Sequence, residues 1–254
     1  QLIDCDVEEP NAHLFLDITY QDQEPVGITV PKIDFDKCTF CGRCSQVCAF
    51  NALAVLQDQV LLFSELCHGC GSCAYLCPEA AITEVVRPIG VIESGKCGNI
   101  AFTHGRLNPG EAMSPPLINA VKKVINPEIV TVIDAPPGTS CPVVTTLSGM
   151  DYCLLVTEPT PFGLNDLDLA YQMTRKLNVP TGVIINRCDL GDSRVEEYCV
   201  QNNLQIIYRI PYDRQLAERY AVGKPVVLSD PLWKNRFQEI YQNIISAWKE
   251  KVEL

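Results

Sequence analysis

From residue 129 onward, short unbroken apolar runs alternate with stretches in which apolar residues recur every three or four positions. The runs Ile129–Ile133, Tyr152–Thr157, Gly182–Ile185 and Gln205–Ile210 predict parallel strands buried on both faces. The helical spacing predicts helices near Leu164–Leu177, Ser193–Asn203 and Arg214–Ala221. A final helix starts at the cap pair Asp230–Pro231, with Phe237, Ile240, Tyr241, Ile244, Ile245, Trp248 and Val252 as its core stripe. A strand–helix rhythm of this kind gives an α/β fold with a doubly wound, mostly parallel sheet.

The first half of the chain is less regular. Leu2–Asp4 reads as a short strand that releases Asp4 and Asp6 into a loop. Ligands of open α/β sheets bind at such carboxyl ends, although the same two residues also suit a capped turn. Gly27–Ile33, Ala52–Leu56 and Ile82–Val86 have strand character, and residues 89–110 form a glycine-rich strand and loop region. Ser114 caps the next helix with Pro115 at its first position, and Leu117, Val121 and Val124 face the core.

Between these strands lies the most informative stretch. Cysteines fall at 38, 41, 44 and 48 and again at 67, 70, 73 and 77, a C-x2-C-x2-C-x3-C run repeated at an offset of 29 residues. Three thiolates at i, i+3 and i+6 wrap three corners of a cubane of iron and sulfide. In two-cluster ferredoxins the fourth ligand comes from the last cysteine of the other repeat. One [4Fe-4S] cluster is thus expected on Cys38, Cys41, Cys44 and Cys77, and a second on Cys67, Cys70, Cys73 and Cys48. Gly42, Gly69 and Gly71 leave room for backbone to approach the sulfides. Zinc sites normally pair two C-x2-C units across a longer loop, and disulfides at this density belong to small secreted domains. Ala49 stands where the second repeat has Pro78, which predicts a slightly different turn after Cys48. The α+β insert is expected to span residues 31–87, bordered by Pro31 and Pro88, with residues 1–30 and 88–254 forming the larger domain.

Composition narrows the setting. A net charge of −11 argues against nucleic acid and anionic membrane surfaces as partners, and no apolar run is long enough for a membrane span. Fourteen cysteines, eight of them in the repeated runs, point to a reducing compartment and a cytoplasmic protein. Cys5, Cys153, Cys188 and Cys199 fall on strands or helix faces and read as packing. His68 lies between two ligands without completing a metal set, and His13 and His104 have no evident partner.

The apolar strand ending in Asp134, followed by DAPPGTSCP, has the Walker B pattern: Asp134 would hold Mg²⁺ through water, and Gly138 would let a backbone N–H reach a phosphate. With DCDVEEPN at 4–11, TEPTPFGLNDL at 157–167, INR at 185–187 and IPYDRQLAERYAVGKPV at 210–226, the chain resembles the MinD/ParA/Mrp group of deviant-Walker P-loop ATPases. Within it, the resemblance is to the branch with an inserted ferredoxin domain. This resemblance implies a P-loop NTPase-like domain that binds ATP or ADP with Mg²⁺. It makes Asp6 the switch residue that orients the attacking water and Asp4 its neighbour near Mg²⁺. It gives Asn186 the adenine edge, with Pro211 and Asp213 in the loop bordering the base; turn chemistry is the plain alternative for Asn186 and Asp213. The group carries a Gly-rich Walker A loop with lysines ahead of the Asp4 strand. No G-x-x-x-x-G-K-[S/T] occurs in these 254 residues, so a preceding strand, loop and helix are expected upstream of Gln1. ATP hydrolysis is then an expectation for the complete protein only.

Three functions follow. The first is ATP-gated electron transfer through two clusters to a redox partner protein, in a homodimer as the group implies. The second is a scaffold or carrier for iron–sulfur clusters or metallocofactors, delivering to a cluster acceptor. The third is a ferredoxin fused to an inert α/β domain. The related nitrogenase iron protein bridges a cluster between subunits with a cysteine after Walker B, which gives Cys141, with Cys97, a conceivable bridging role beside a packing one.

Overall fold

The computed structural model describes residues 1–252, which divide into two compact units. The first holds Gln1–Pro10 and Ile18–Asp134. Its elements are β1 (Leu2–Asp4), β2 (Thr19–Ile33), α1 (Arg43–Gln46), β3 (Leu53–Val55), β4 (Val60–Leu62), α2 (Ser72–Tyr75), β5 (Ile82–Cys97), β6 (Ile100–Leu107), α3 (Pro115–Lys122) and β7 (Val132–Asp134). The sheet order is β2-β5-β6-β1-β7, with β1 parallel to both its neighbours and the β2–β5–β6 side antiparallel.

The antiparallel ribbon of β2 and β5 is far longer than Gly27–Ile33 and Ile82–Val86 suggest. It is paired from Thr19↔Lys96 to Ile33↔Ile82. The borders expected at Pro31 and Arg87 fall inside it, with Pro31 opposite Glu84 and Arg87 opposite Ile28. Proline is tolerated because β2 is an edge strand, where a missing N–H removes no ladder bond. Pro88 sits at a register shift beside Val26 and Gly27, and Ile89 turns inward there to full burial. Below the ribbon, Ile3, Val7, Ile89, Leu117, Ile118 and Val121 make a core without solvent contact beyond 1% of their surface. Val124 departs from the expected face: it lies past the end of α3 and is exposed. Ser114 does begin α3, but its hydroxyl donates to Glu8 Oε1 at 2.9 Å and makes no capping bond. β7 starts at Val132, so Ile129 and Val130 precede it, and Val130 and Val132 are exposed at the sheet edge, not buried on two faces. β3 falls within the expected Ala52–Leu56 strand and pairs with β4, a three-residue strand that the sequence pattern does not mark.

The second unit holds Asn11–Asp17 and the chain from Ala135. It contains α4 (Cys141–Leu147), β8 (Cys153–Thr157), α5 (Pro161–Lys176), β9 (Thr181–Asn186), α6 (Arg194–Gln201), β10 (Gln205–Ile210), α7 (Arg214–Tyr220) and α8 (Pro231–Val252). β8, β9 and β10 form a parallel sheet with β9 central. One face packs on α5 and α6 through Leu167, Val183, Ile185, Val195 and Cys199. The other packs on α8 through Ile184, Ile207, Ile240 and Ala247. Helices on both faces of parallel strands confirm the α/β class. α5 begins a turn earlier than its periodicity suggests, because the Thr160 hydroxyl accepts the Gly163 N–H at 3.0 Å. Asp230 caps α8 as expected, accepting the Leu232 N–H at 2.9 Å. Its expected stripe is only partly buried: Phe237 and Tyr241 are exposed while Trp233 is enclosed. The Val252 side chain lies outside the described part. A loop-like proline, glycine and serine run leads straight into α4, so no helical pattern marks its start. Cys5, Cys153 and Cys199 are buried and Cys188 half-buried, as packing residues should be. Among the described residues no helix is long and apolar enough to cross a membrane.

Leu117 is the sharpest test of the first core. Leu117→Ala is expected to destabilise the first unit by about 2–5 kcal/mol through lost burial and a residual cavity, read as a lower denaturant midpoint in equilibrium unfolding.

Candidate metal centres and nucleotide-site residues

The cysteine repeat in the sequence is also a repeat in the backbone. Gly42 and Gly71 take left-handed φ values of 78° and 71° immediately before α1 and α2, where a Cβ would strain the turn. Phe40 and Gly69 match with φ of 55° and 65°, as do Asn51 and Ala80 with 54° and 47°. Cys48 Sγ accepts the Ala52 N–H at 3.3 Å, and Cys77 Sγ accepts the Ala81 N–H at 3.4 Å. The turn after Cys48 is closed by Asn51 N–H on the Cys48 carbonyl at 3.3 Å, and Ala80 on Cys77 does the same at 3.2 Å. Ala49 therefore does not alter the turn that Pro78 shapes in the second repeat.

These two loops enclose two cavities. The first is lined by Cys48, Cys67, Cys70 and Cys73, with Thr29, Phe50, His68 and Glu84 around them. The second is lined by Cys38, Cys41, Cys44 and Cys77, with Ile33, Phe40, Val60 and Ile82. Each cavity thus combines three cysteines of one repeat with the last cysteine of the other. Among the described residues no His, Cys, Asp or Glu group gathers in a way that would hold a single metal ion. Four thiols around a space suit a cubane body, which is bound by four thiolates at its corners. Burial pushes up the Cys44 thiol and pushes Cys73 to about 11, so cluster ligation there must displace protons. Cys70 is held below its ordinary value by the Ser72 hydroxyl, 3.4 Å away. Close packing explains Gly69: a Cβ there would stand 2.9 Å from the Thr29 carbonyl oxygen. The His68 ring stacks on Phe50 at 3.6 Å and 11°, forming part of the first cavity's wall. Its place between two ligands was the available signal for that role.

The carboxylates of the first unit converge at the ends of β1 and β7. Asp4 and Asp134 are register partners, and the Cys5 N–H donates to the Asp134 carbonyl at 2.8 Å. The Asp6 N–H donates to Asp4 Oδ1 at 3.0 Å. Asp4 is fully buried, while Asp134 is an exposed residue whose carboxyl is partly shielded. Desolvation, then the charges of Asp4 and Asp6, raises the Asp134 carboxyl above its ordinary value. Desolvation also raises Asp6, against an opposing backbone hydrogen bond from Glu9 and with the Asp4 charge adding to it. These mutually repelling carboxylates meet at the carboxyl ends of adjacent parallel strands, the end at which open α/β sheets bind ligands.

The remaining residues, Cys97 apart, lie in the second unit. Gly138 has φ of 87°, with no atom within 4 Å of where a Cβ would stand. Asn186 ends β9 opposite Ile210, so Asn186 and Pro211 lie at neighbouring strand ends. The Asp213 carboxylate accepts the Gln215 and Leu216 N–H groups at 2.8 and 3.2 Å and the Trp233 indole N–H at 3.4 Å. Those are the bonds of a helix cap on α7. Cys141 opens α4 and is exposed; Cys97 ends β5 and is half-buried.

A family profile described as a 4Fe-4S dicluster domain matches residues 30–78, which contain both cysteine runs. An uncharacterized protein of Methanocaldococcus jannaschii, MJ0579, is 33% identical over 96% of this chain and 86% of its own length. An iron-sulfur cluster carrier protein of Aquifex aeolicus is 31% identical over 39% of this chain and 32% of its own length. The chain belongs to the family of MJ0579 and carries a 4Fe-4S dicluster domain. Among solved structures, the MinD cell division protein of Aquifex aeolicus is 18% identical, with a TM-score of 0.39 over 60% of this chain and 64% of that one.

Two outcomes test these sites. Cys77→Ser should empty the cavity that holds Cys38, Cys41 and Cys44, cutting iron from about eight to about four atoms per chain by colorimetric assay after anaerobic reconstitution. A carboxyl whose pKa is raised on folding binds its proton more tightly in the folded chain. Stability therefore falls as pH rises from the ordinary value of 3.8 through the raised one. Without divalent cations, Asp134→Asn should melt above the parent chain at neutral pH, and the difference should vanish near about pH 3.

Proposed function

We propose that this protein is an ATP-dependent carrier or assembly factor for iron–sulfur clusters or metallocofactors, with two resident [4Fe-4S] clusters in its ferredoxin domain. Its likeness to named iron-sulfur cluster carrier proteins supports the carrier role. The observation that carries the two-cluster part is the pairing of four cysteines in each cavity, three from one repeat and one from the other. Bound there, the clusters supply reversible one-electron chemistry.

The chain's own groups do the rest. Cys38, Cys41, Cys44 and Cys77 hold one centre, and Cys67, Cys70, Cys73 and Cys48 hold the other. The Ala52 and Ala81 N–H groups hydrogen-bond the sulfurs of Cys48 and Cys77 and so hold the two exchanged ligands in place. Asp134 and Asp4 would hold Mg²⁺ through water, and Asp6 would orient the attacking water on ATP. Gly138 would bring a backbone N–H to a phosphate, with Asn186, Pro211 and Asp213 around the base. Cys141, exposed after the Asp134 strand, is the candidate ligand for a cargo cluster shared with a second copy of the chain. The expected setting is the cytoplasm.

A second reading is nucleotide-gated electron transfer to a redox partner. It is favoured by each cavity's four thiols all belonging to one chain, which suits permanent centres.

Transfer to an apo-acceptor separates the two readings. The reconstituted full-length protein is incubated anaerobically with an apo-ferredoxin and a chelator trap, with and without Mg-ATP. The carrier reading expects Mg-ATP to speed delivery of a labile cluster severalfold, two clusters to remain on the donor, and Cys141→Ser to lose only the labile one. Retention of all iron, with a nucleotide-induced shift of a cluster potential, would establish the electron-transfer reading in its place.

A further inference from the structure

Arg87 sits where the long ribbon passes the first cavity. It pairs across the ladder with Ile28, which packs in the same core cluster as Cys67. One residue along, Thr29 Oγ1 donates to the Gly69 carbonyl at 3.4 Å, so the Cys67–Gly69 loop lies against this part of the ribbon. The Arg87 guanidinium makes a two-pronged ion pair with Glu111: Nη1 donates to Oε2, and Nη2 donates to Oε1 at 3.1 Å. The Glu111 side chain is only 3% exposed. Beyond this dominant partner, the charges of Glu65 and the Cys67 sulfur also act on the guanidinium. Arg87 Nε is buried and has no hydrogen-bond acceptor among the described residues. A buried donor left unsatisfied is costly, and charge-assisted donors satisfy anionic acceptors well.

Glu111 belongs to a short connection, residues 108–114, that is fastened at both ends. Asn108 donates its backbone N–H to the Ile89 carbonyl at 2.8 Å and its side-chain amide to the Pro88 carbonyl at 3.3 Å. At the other end, buried Ser114 donates to Glu8 in the loop that carries Asp6. Leu107 is tied to that same loop through its N–H on the Val7 carbonyl at 2.8 Å. The connection therefore touches both the carboxylate loop and the arginine beside the first cavity, and all these contacts lie within the first unit.

We propose that Arg87 is a potential-setting residue for the centre held by Cys67, Cys70, Cys73 and Cys48. It sits on the ribbon beside the Cys67–Gly69 loop that carries part of that centre's ligand set, and Glu111 sets how much of its positive charge reaches the centre. Reduction adds negative charge, so a nearby cation favours the reduced state and a nearby anion opposes it. Any movement of the 6–9 loop that pulls on Ser114 shifts Glu111 relative to Arg87, and so changes the electron affinity of one centre and not the other. This inference rests on the two-cluster reading above.

The test is an anaerobic EPR-monitored redox titration of the full-length reconstituted protein and of Arg87→Gln, Arg87→Lys, Glu111→Gln and the double variant Arg87→Gln/Glu111→Gln. In Arg87→Gln, one of two midpoint potentials is expected to fall by about tenfold in its reduction equilibrium, about 59 mV for one electron. In Glu111→Gln the same potential should rise, and the double variant should return near the parent value. Arg87→Lys keeps the charge without Nε and should fall less than Arg87→Gln. A merely structural role would move both singles in the same direction, or both centres together, and either result would overturn the proposal. Two clusters with unmoved potentials in every variant would overturn it while leaving the two-cluster reading intact. A parent protein with fewer than two clusters would remove both. Should Arg87→Gln fail to assemble, Arg87→Lys and the double variant, which strands no buried charge, give the same decision.

Discussion

Neither cysteine repeat can close its own cavity. Each places three thiols around a space and sends its last thiol into the other's space, so the two loops must fold together or leave both sites incomplete. This exchange dictates the architecture around it. α1 and α2 are a single turn each, as short as the loops allow, and each starts on a left-handed glycine. Behind them the β2–β5 ribbon fixes the separation of the repeats: Ile33 and Ile82, paired at its tip, lead into the first run and out of the second. The register of that ladder sets where Cys38 and Cys77 meet.

The same ribbon makes the iron–sulfur segment continuous with the sheet that carries the carboxylates. No flexible connection separates them; β5 runs from the cysteine loops to the edge of β6, and β6 pairs with β1, which ends at Asp4. The first unit thus joins the cysteine-lined cavities to the carboxylates of Asp4, Asp6 and Asp134 through hydrogen-bonded backbone. In the second unit, the strand ends of β9 and β10 gather Asn186 and Pro211, the arrangement by which parallel sheets commonly present ligand-binding groups. Asp213 spends its oxygens on the first turn of α7 and on Trp233, so its visible work is to anchor two helices.

What could be read from the chain differed by the range of the interaction. The cysteine spacing is local, and the cavities fall where it says, down to the exchanged fourth residue. The parallel strands of the second unit were equally plain, since burial on both faces leaves unbroken apolar runs such as Gly182–Ile185. The β2–β5 ribbon was truncated in that reading because its outer half, with Asp22, Gln23 and Glu24, is exposed and carries no apolar signature. Ser114 had the residue type of a helix cap, but a distant acceptor, Glu8, took its hydroxyl. The Arg87–Glu111 pair joins residues on a strand and a loop, and no local pattern marks it. Phe237 and Tyr241 show the converse limit: helical spacing says which residues share a face, not how much of that face a sheet covers.

β2 stands alone on its outer side along fifteen residues, a length that in most sheets would invite another chain to add a strand. Its sequence makes it a poor template. Pro25 and Pro31 offer no N–H to an incoming strand, and Asp22, Glu24 and Lys32 would force it to desolvate charge. The ribbon can therefore be long enough to hold the cysteine loops apart and still remain single at high concentration. Replacing the two prolines with β-branched residues would leave every internal contact possible while opening a route to edge-to-edge assembly. Protection from self-association is thus written into the strand that carries the metal-binding loops.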